Sequence, residues 1–163
     1  MRASRGASFE TLADRSGPPG FFVSTIDREG KDMERLNVWA PRVLSLLRIV
    51  AALLFMEHGL MKVFHFPGPQ PGAPDPLPPM LVTAAWLEIV GGTLLVLGLF
   101  TRPVAFVLSG QMAVAYFLAH FSKGFWPALN GGEGAILFSF TFLYLVFAGP
   151  GEWSLDAQVR KRP

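Results

Sequence analysis

The sequence contains no cysteine, which removes disulfides, thiolate nucleophiles and cysteine-ligated metals from this chain. It also excludes thiol–disulfide exchange as a way for the chain itself to carry electrons. Charge is the second shortage. Asp, Glu, Lys and Arg make up 16% of the residues, where a soluble domain carries about a quarter. Most of the charges that remain lie before residue 43, in short connectors, or after residue 151. The formal net charge is only +2, and the basic residues flank apolar segments rather than lining one face, so nucleic-acid binding has little support. There is no glycine-rich phosphate loop and no haem attachment sequence. A signal peptide needs an apolar core of about 7–15 residues. The longest apolar run in residues 1–32 is Phe21-Phe22-Val23, so a cleaved secretory leader is not expected there.

What is present is grease. Apolar residues account for 51% of the chain and gather in four segments, 43–66, 80–100, 103–121 and 132–148. A spanning helix needs about 20 such residues, roughly 30 Å at 1.5 Å per residue. The first three segments meet that length, and the fourth is near its lower limit. Barrel strands would be half as long and would alternate polar with apolar residues, which these do not. The expected fold is therefore an all-α membrane protein, an antiparallel bundle of four transmembrane helices.

The connectors agree. Residues 67–79 hold seven prolines, which cannot continue either flanking helix. Thr101-Arg102-Pro103 is a tight turn, with proline suited to the first turn of a helix, and Gly149-Pro150-Gly151 ends the fourth segment. Residues 1–32 show no apolar periodicity and are expected to form a disordered tail. Met33 opens a second natural start, MERLNVWAPR, so that tail need not be translated. A short lead-in, 33–42, would precede the membrane domain, 43–157, and a basic tail, 158–163, would follow it. Lys and Arg concentrate on cytoplasmic loops. Arg35, Arg42, Arg102, Arg160, Lys161 and Arg162 fall on one side, and Lys62 and Lys123 on the other. Both termini are thus expected in the cytoplasm. Trp39, Trp126 and Trp153 fall near the interfaces, where indoles are favoured.

Polar residues inside the apolar segments point to function. An ionisable group near a helix centre costs about 2.5–3.5 kcal/mol on insertion scales and normally faces the bundle or a wet cavity. The candidates are Glu57, His58, Lys62, Glu88, Gln111, His120 and Glu133. Glu88 should lie roughly 12 Å below the outer rim, with Glu57 and His58 at similar depth and Gln111 a little deeper. Lys62, His120 and Glu133 should lie closer to the rim. Arg48 and Arg102 belong to the inner half, where arginine can snorkel to the headgroups. At about 100° per residue, Arg48, Gly59 and Lys62 share one stripe of the first helix, while Glu57 points nearly the opposite way. Glu57 and His58 therefore cannot both face one partner squarely.

Each candidate also has a structural reading. Glu88 precedes Gly91-Gly92, where helices can approach closely, so it can serve as a hydrogen-bonded packing residue. Lys62 can be an interfacial anchor. His58, His65 and His120 match no metal-ligand spacing, and no metal is expected. Trp86, Tyr116, Phe125 and Tyr144 could line a pocket for a ring-shaped ligand, although aromatic core packing weighs more.

Taken together, these segments resemble the DoxX family. Arg48 with His58-Gly59-x-x-Lys62 is similar to its opening signature. Glu88-x-x-Gly91-Gly92-x-Leu94-Leu95-x-Leu97-Gly98-Leu99-x-Thr101-Arg102 is similar to its second helix and turn. Gly131-Gly132-Glu133 and Gly149-Pro150-Gly151-x-x-Ser154-Leu155-Asp156 resemble its later motifs. The resemblance covers about residues 43–157. It implies a four-helix protein of the bacterial cytoplasmic (inner) membrane. Some relatives are the small membrane subunit of a thiosulfate:quinone oxidoreductase; others are associated with oxidative stress, thiol balance or quinone resistance beside soluble redox partners. Family membership alone carries function weakly.

With no cofactor motif of its own, the chain would contribute at most an accessory subunit: a membrane pocket for a quinone with a protonatable group nearby. The expected partners are the lipid bilayer, a soluble or membrane redox partner, and further copies of the chain. The competing class is a non-catalytic anchor or envelope-integrity protein, in which the embedded polar groups are helix glue. A secondary transporter is disfavoured by the lack of inverted repeats or broken helices, which leaves an oligomeric pore as the remaining transport class.

Overall fold

The computed structural model describes residues 21–160 and shows an all-helical chain with no strand among them. The chain divides into two units, 1–39 and 40–163. Helix α1 (Phe21–Phe64) begins well before the spanning segment that the hydropathy marks out. Residues 21–32, expected to be disordered, are helical instead. They contain no proline and a single glycine, so nothing stops a helix that the apolar stretch after them has nucleated. The rest of the expected tail, residues 1–20, lies outside the described residues, as do residues 161–163. Pro41 sits within α1; it lacks an N–H, but its own carbonyl oxygen accepts from Ser45 Oγ at 2.9 Å and from the Glu152 N–H at 3.2 Å.

The second unit holds the bundle. Helix α2 (Pro79–Leu97) starts on a proline at its first turn and ends on Gly98, whose φ of 65° is left-handed. There the Leu99 N–H donates to the Leu94 carbonyl at 2.9 Å and the Gly98 N–H to the Leu95 carbonyl at 3.1 Å, a double C-cap that favours glycine. Helix α3 (Thr101–Ala115) runs on through a π turn, Tyr116–His120, and a 3-10 turn, Phe121–Lys123. A single turn, α4 (Pro127–Asn130), leads to α5 (Glu133–Ala148), and α6 (Leu155–Arg160) follows.

Among the described residues, three stretches are long and apolar enough to cross a membrane: Leu36–Phe64, Pro79–Leu97 and Thr101–Lys123. Helix α5 is equally apolar, but its 16 residues make it only about 24 Å long. It packs along α3, tied there by reciprocal bonds from Ser109 Oγ to the Ser139 carbonyl, 2.8 Å, and from Ser139 Oγ to the Ser109 carbonyl, 3.0 Å.

The core is narrow. Ala51, Ala52 and Phe55 of α1 meet Leu95, Ala105, Leu108, Phe142 and Leu145, with Phe55 and Phe142 edge to face at 4.9 Å. Large apolar side chains point outward instead: Phe106 is 65% exposed and Phe147 74%. Such a surface suits lipid rather than water. Without a hydrophobic drive between helices in lipid, close contact rests on small residues. A methyl group added to Gly59 would lie 2.7 Å from the Ala85 carbonyl oxygen, and one on Gly92 would lie 2.9 Å from Met56 Cβ. These two glycines let α1 and α2 touch along their backbones.

Candidate functional site

Two polar clusters occupy the bundle. The first surrounds Arg48, which is fully buried. Its Nε donates to the Pro150 carbonyl at 2.8 Å, Nη2 to the Trp153 carbonyl at 2.5 Å, and Nη1 to the carbonyls of Leu95 and Val96, the latter at 2.9 Å. Those acceptors are the end of α2 and the segment that follows α5, so one guanidinium fork ties three parts of the chain together. The expectation that Arg48 reaches for headgroups is corrected here. The free carbonyls at a helix end need donors, and Arg48 meets that need from inside the bundle.

Around it, Gly98 and Gly151 leave no room for a side chain: a methyl group on Gly98 would overlap Ser154, and one on Gly151 would overlap Ser45. Asp156 completes the knot. Its carboxylate accepts from the backbone N–H groups of Phe100 at 2.9 Å and Thr101 at 2.8 Å. This caps α3 and holds Phe100, whose φ of 50° is left-handed and unfavourable for a residue with a Cβ. Arg102, exposed, donates to the Val146 and Phe147 carbonyls at 2.6 and 3.0 Å and so caps the end of α5.

The second cluster lies nearer the other end of the helices. Lys62 Nζ lies 2.6 and 2.7 Å from the two carboxylate oxygens of Glu88, with side chains 10% and 5% exposed. Gln111 Nε2 donates to Glu88 Oε1 at 3.2 Å and to the Ala84 carbonyl at 3.1 Å. Both of these neighbours only accept, which fixes the orientation of the amide. Gln111 Oε1 remains buried without a hydrogen-bond partner. All three side chains border a cavity of about 520 Å³ between α2 and α3, otherwise walled by apolar residues such as Leu87, Val107, Gly110 and Val114. An apolar pocket with a few convergent polar groups is the usual form of a small-molecule site. Here it offers one cation, one anion and one amide whose oxygen is unsatisfied.

This arrangement can be set beside known proteins. The DoxX family model matches residues 43–121. The chain is 47% identical over 134 residues to an uncharacterized protein of Haemophilus influenzae, covering 80% of this chain and all of that protein. It is 30% identical over 129 residues to the inner membrane protein YphA of Escherichia coli, covering 71% of this chain and 89% of that one. The chain belongs to the DoxX family. The uncharacterized membrane protein Rv3486 of Mycobacterium tuberculosis is also similar, 28% identical over 145 residues, 78% of this chain and 87% of that protein. No solved structure matches.

The DoxX-like motifs supply both clusters, although His58 and Gly131-Gly132-Glu133 join neither. Arg48, Gly98, Thr101, Arg102, Gly151, Ser154 and Asp156 all serve the first, whereas Gly59, Lys62 and Glu88 build the second. Of the seven site candidates read from sequence, Lys62, Glu88 and Gln111 come together. His58 is exposed on α1, with Nδ1 2.8 Å from its own Leu54 carbonyl and its ring edge-on to Phe138. Glu57 is half-buried, on the side of α1 nearly opposite Arg48. His120 ends the π turn, with Nδ1 3.1 Å from the Asn130 carbonyl. Glu133 is exposed in the first turn of α5, where the helix dipole favours an anion.

The aromatic pocket considered from sequence does not form. Trp86, Phe125 and Tyr144 are 47%, 69% and 56% exposed, because bulky rings are welcome on a lipid-facing surface. None of these three, nor Tyr116, borders the cavity. No group of three metal-ligating side chains occurs among the described residues. Sequence reasoning missed the capping role of Asp156 and the partners of Arg48. The available signal was the pairing of a buried arginine with a distant Gly-Pro-Gly turn.

Proposed function

We propose that this DoxX protein is the membrane subunit of a redox system in the bacterial cytoplasmic membrane, and that its cavity between α2 and α3 accepts a quinone-class ring. The carrying observation is the Lys62–Glu88–Gln111 cluster at the edge of an apolar cavity of about 520 Å³. Quinone and quinol differ in what they ask of a site: the quinone presents acceptors, the quinol donors. The Lys62 ammonium has three protons and can turn one to a carbonyl oxygen. Glu88 and the unsatisfied Gln111 Oε1 can accept from the hydroxyls of the quinol.

Reduction of a quinone takes up two electrons and two protons. The electrons would come from a partner carrying its own redox group, since this chain has neither cysteine nor a cofactor motif. Glu88, paired with Lys62, is the group placed to pass protons. The charge asymmetry of the loops supports an orientation with both termini in the cytoplasm.

The test is binding of a short-chain benzoquinone or naphthoquinone to the full chain in proteoliposomes. Wild type should bind saturably, and Glu88→Gln should lose most of that binding while the fold persists. Equal binding by both proteins defeats the proposal. A second reading, a non-catalytic anchor, is favoured by the mutual satisfaction of Lys62 and Glu88, which makes them helix glue as they stand. Purification in mild detergent that yields a stoichiometric soluble partner but no bound quinone would favour the anchor.

A further inference from the structure

We infer that two copies of this chain pair through the face of α1 that points away from the bundle, with Glu57 of each copy meeting His58 of the other. The depth of Glu57 follows from its neighbours. Met56 packs against Gly92, and Gly59 packs against Ala85 and Glu88, so Glu57 is level with about Val90 on α2 (Pro79–Leu97). That is roughly 16 Å from one end of α2 and 10 Å from the other, at about 1.5 Å per residue. Its direction follows from burial. Arg48, Ala51, Ala52 and Phe55 are buried, and at about 100° per residue Glu57 points nearly opposite to them. On its own side, Val50 is 46% exposed and Leu54 50%, while Glu57 and Met61 are half-buried. Glu57 has no hydrogen-bond or ion-pair partner among the described residues. A carboxyl group at such a depth has no water to satisfy it, and ionisable groups there almost always find a partner or a wet cavity.

The spacing of the same face indicates what the partner is. Val43, Leu47, Val50, Leu54, Glu57 and Met61 follow alternating steps of four and three, the seam of a two-helix pair. A single polar residue in an apolar seam fixes register and partner number. Lipid alone would serve the apolar residues; the acid among them calls for protein. His58 supplies its complement. The Leu54 carbonyl can only accept, so the 2.8 Å contact puts the proton of the neutral ring on Nδ1 and leaves Nε2 an acceptor. A protonated Glu57 donates to such an acceptor, and an ionised one pairs with the imidazolium. Either way the pair carries no net charge into lipid. Because Glu57 and His58 are adjacent in sequence, a two-fold axis along the membrane normal brings both reciprocal pairs to one depth. None of this depends on what the cavity binds.

A cysteine-free chain makes the test clean. The full chain is placed in proteoliposomes at low protein-to-lipid ratio, carrying one introduced cysteine, and oxidised with copper phenanthroline. Leu54→Cys should give disulfide-linked dimers; Phe106→Cys, on the 65%-exposed outer face of α3, should not. Adding Glu57→Leu to Leu54→Cys should lower the dimer association constant by about tenfold, the size of the two reciprocal polar contacts that the substitution removes from the dimer in lipid. Glu57→Gln, which keeps a hydrogen-bonding group, should lower it less, and His58→Phe should match Glu57→Leu. Gel filtration in detergent before reconstitution confirms that each variant is folded. The inference is overturned if Leu54→Cys yields no dimer, as it would with lipid or another protein covering α1. It is equally overturned if Phe106→Cys cross-links as well, or if Glu57→Leu leaves the yield unchanged.

Discussion

The Arg48 knot and the Lys62–Glu88–Gln111 cluster are both buried and polar, yet they spend their hydrogen bonds on different partners. Arg48 gives its donors to backbone carbonyls at the end of α2 and after α5; a cavity of about 420 Å³ borders Pro150, Thr101 and Asp156 of the knot, but Arg48 itself does not line it. Lys62, Glu88 and Gln111 bond mainly to one another, border a cavity and leave one acceptor unsatisfied. Backbone carbonyls cannot be removed by mutation or exchanged for a ligand, so a guanidinium bound to them is part of the fold. Side-chain partners can be exchanged. The difference separates a structural polar cluster from one available for binding, though both would look alike to a hydropathy plot.

The comparison is broken most severely at Arg48. Arg48→Ala strands the Val96, Pro150 and Trp153 carbonyls, at about 1–3 kcal/mol each where water cannot replace the donor, and leaves Leu95 only the Gly98 N–H. A loss of about 5 kcal/mol or more is expected, read as failure to accumulate or as a collapsed melting transition in detergent. Arg48→Lys should rescue little, because a point charge cannot reproduce the fork. If Arg48→Ala behaves like wild type, the knot is not what holds the ends of the helices.

At the second cluster the single and paired changes should diverge. Lys62→Met leaves Glu88 buried without its cation, costing about 3–4 kcal/mol. Adding Glu88→Leu should restore stability to within about 1 kcal/mol of wild type, since a well-packed apolar pair often replaces a buried ion pair. Quinone binding should stay lost in both. Thermal unfolding of the three proteins in one detergent, beside the binding assay, separates fold from site. A paired variant as unstable as the single one would make this cluster as structural as the first.

The sequence is legible where lipid dictates it. The segments 80–100, 103–121 and 132–148 lie within three residues of α2, the Thr101–Lys123 span and α5, because a bilayer accepts only long apolar runs. It is less legible where the helix leaves the bilayer. Hydropathy says nothing about how far α1 extends before its spanning part, so its start at Phe21 goes unseen. Depth could be estimated for every embedded polar group, and the azimuth of α1 already separates Glu57 from Lys62. Which groups of similar depth meet across helices depends on the contacts at Gly59 and Gly92, whose register no single-helix argument supplies. The partners of Arg48 are hidden for a related reason: two of its acceptors lie at the end of α2 and two about a hundred residues away, after α5.

Smaller effects are expected at Asp156, within the knot, and at the serine pair outside it. Asp156 accepts the Phe100 and Thr101 N–H groups, so Asp156→Ala removes a charged cap and the support for a left-handed phenylalanine. A cost of about 1–2 kcal/mol is expected. Phe100→Gly in the same background should return part of it, because glycine adopts that backbone freely. The Ser109–Ser139 bonds of α3 and α5 belong to neither cluster and fit the ordinary case of interhelical contacts in lipid. Ser109→Ala should cost about 0.6 kcal/mol, and Ser139→Ala on top should add about as much again. The two bonds have separate donors and separate backbone acceptors, so their losses should be additive. A coupling between the two substitutions larger than about 0.5 kcal/mol, measured by a double-mutant cycle in detergent unfolding, would show that α5 moves when either bond is cut. The shortest apolar helix of the bundle would then be held by this pair rather than by its packing along α3.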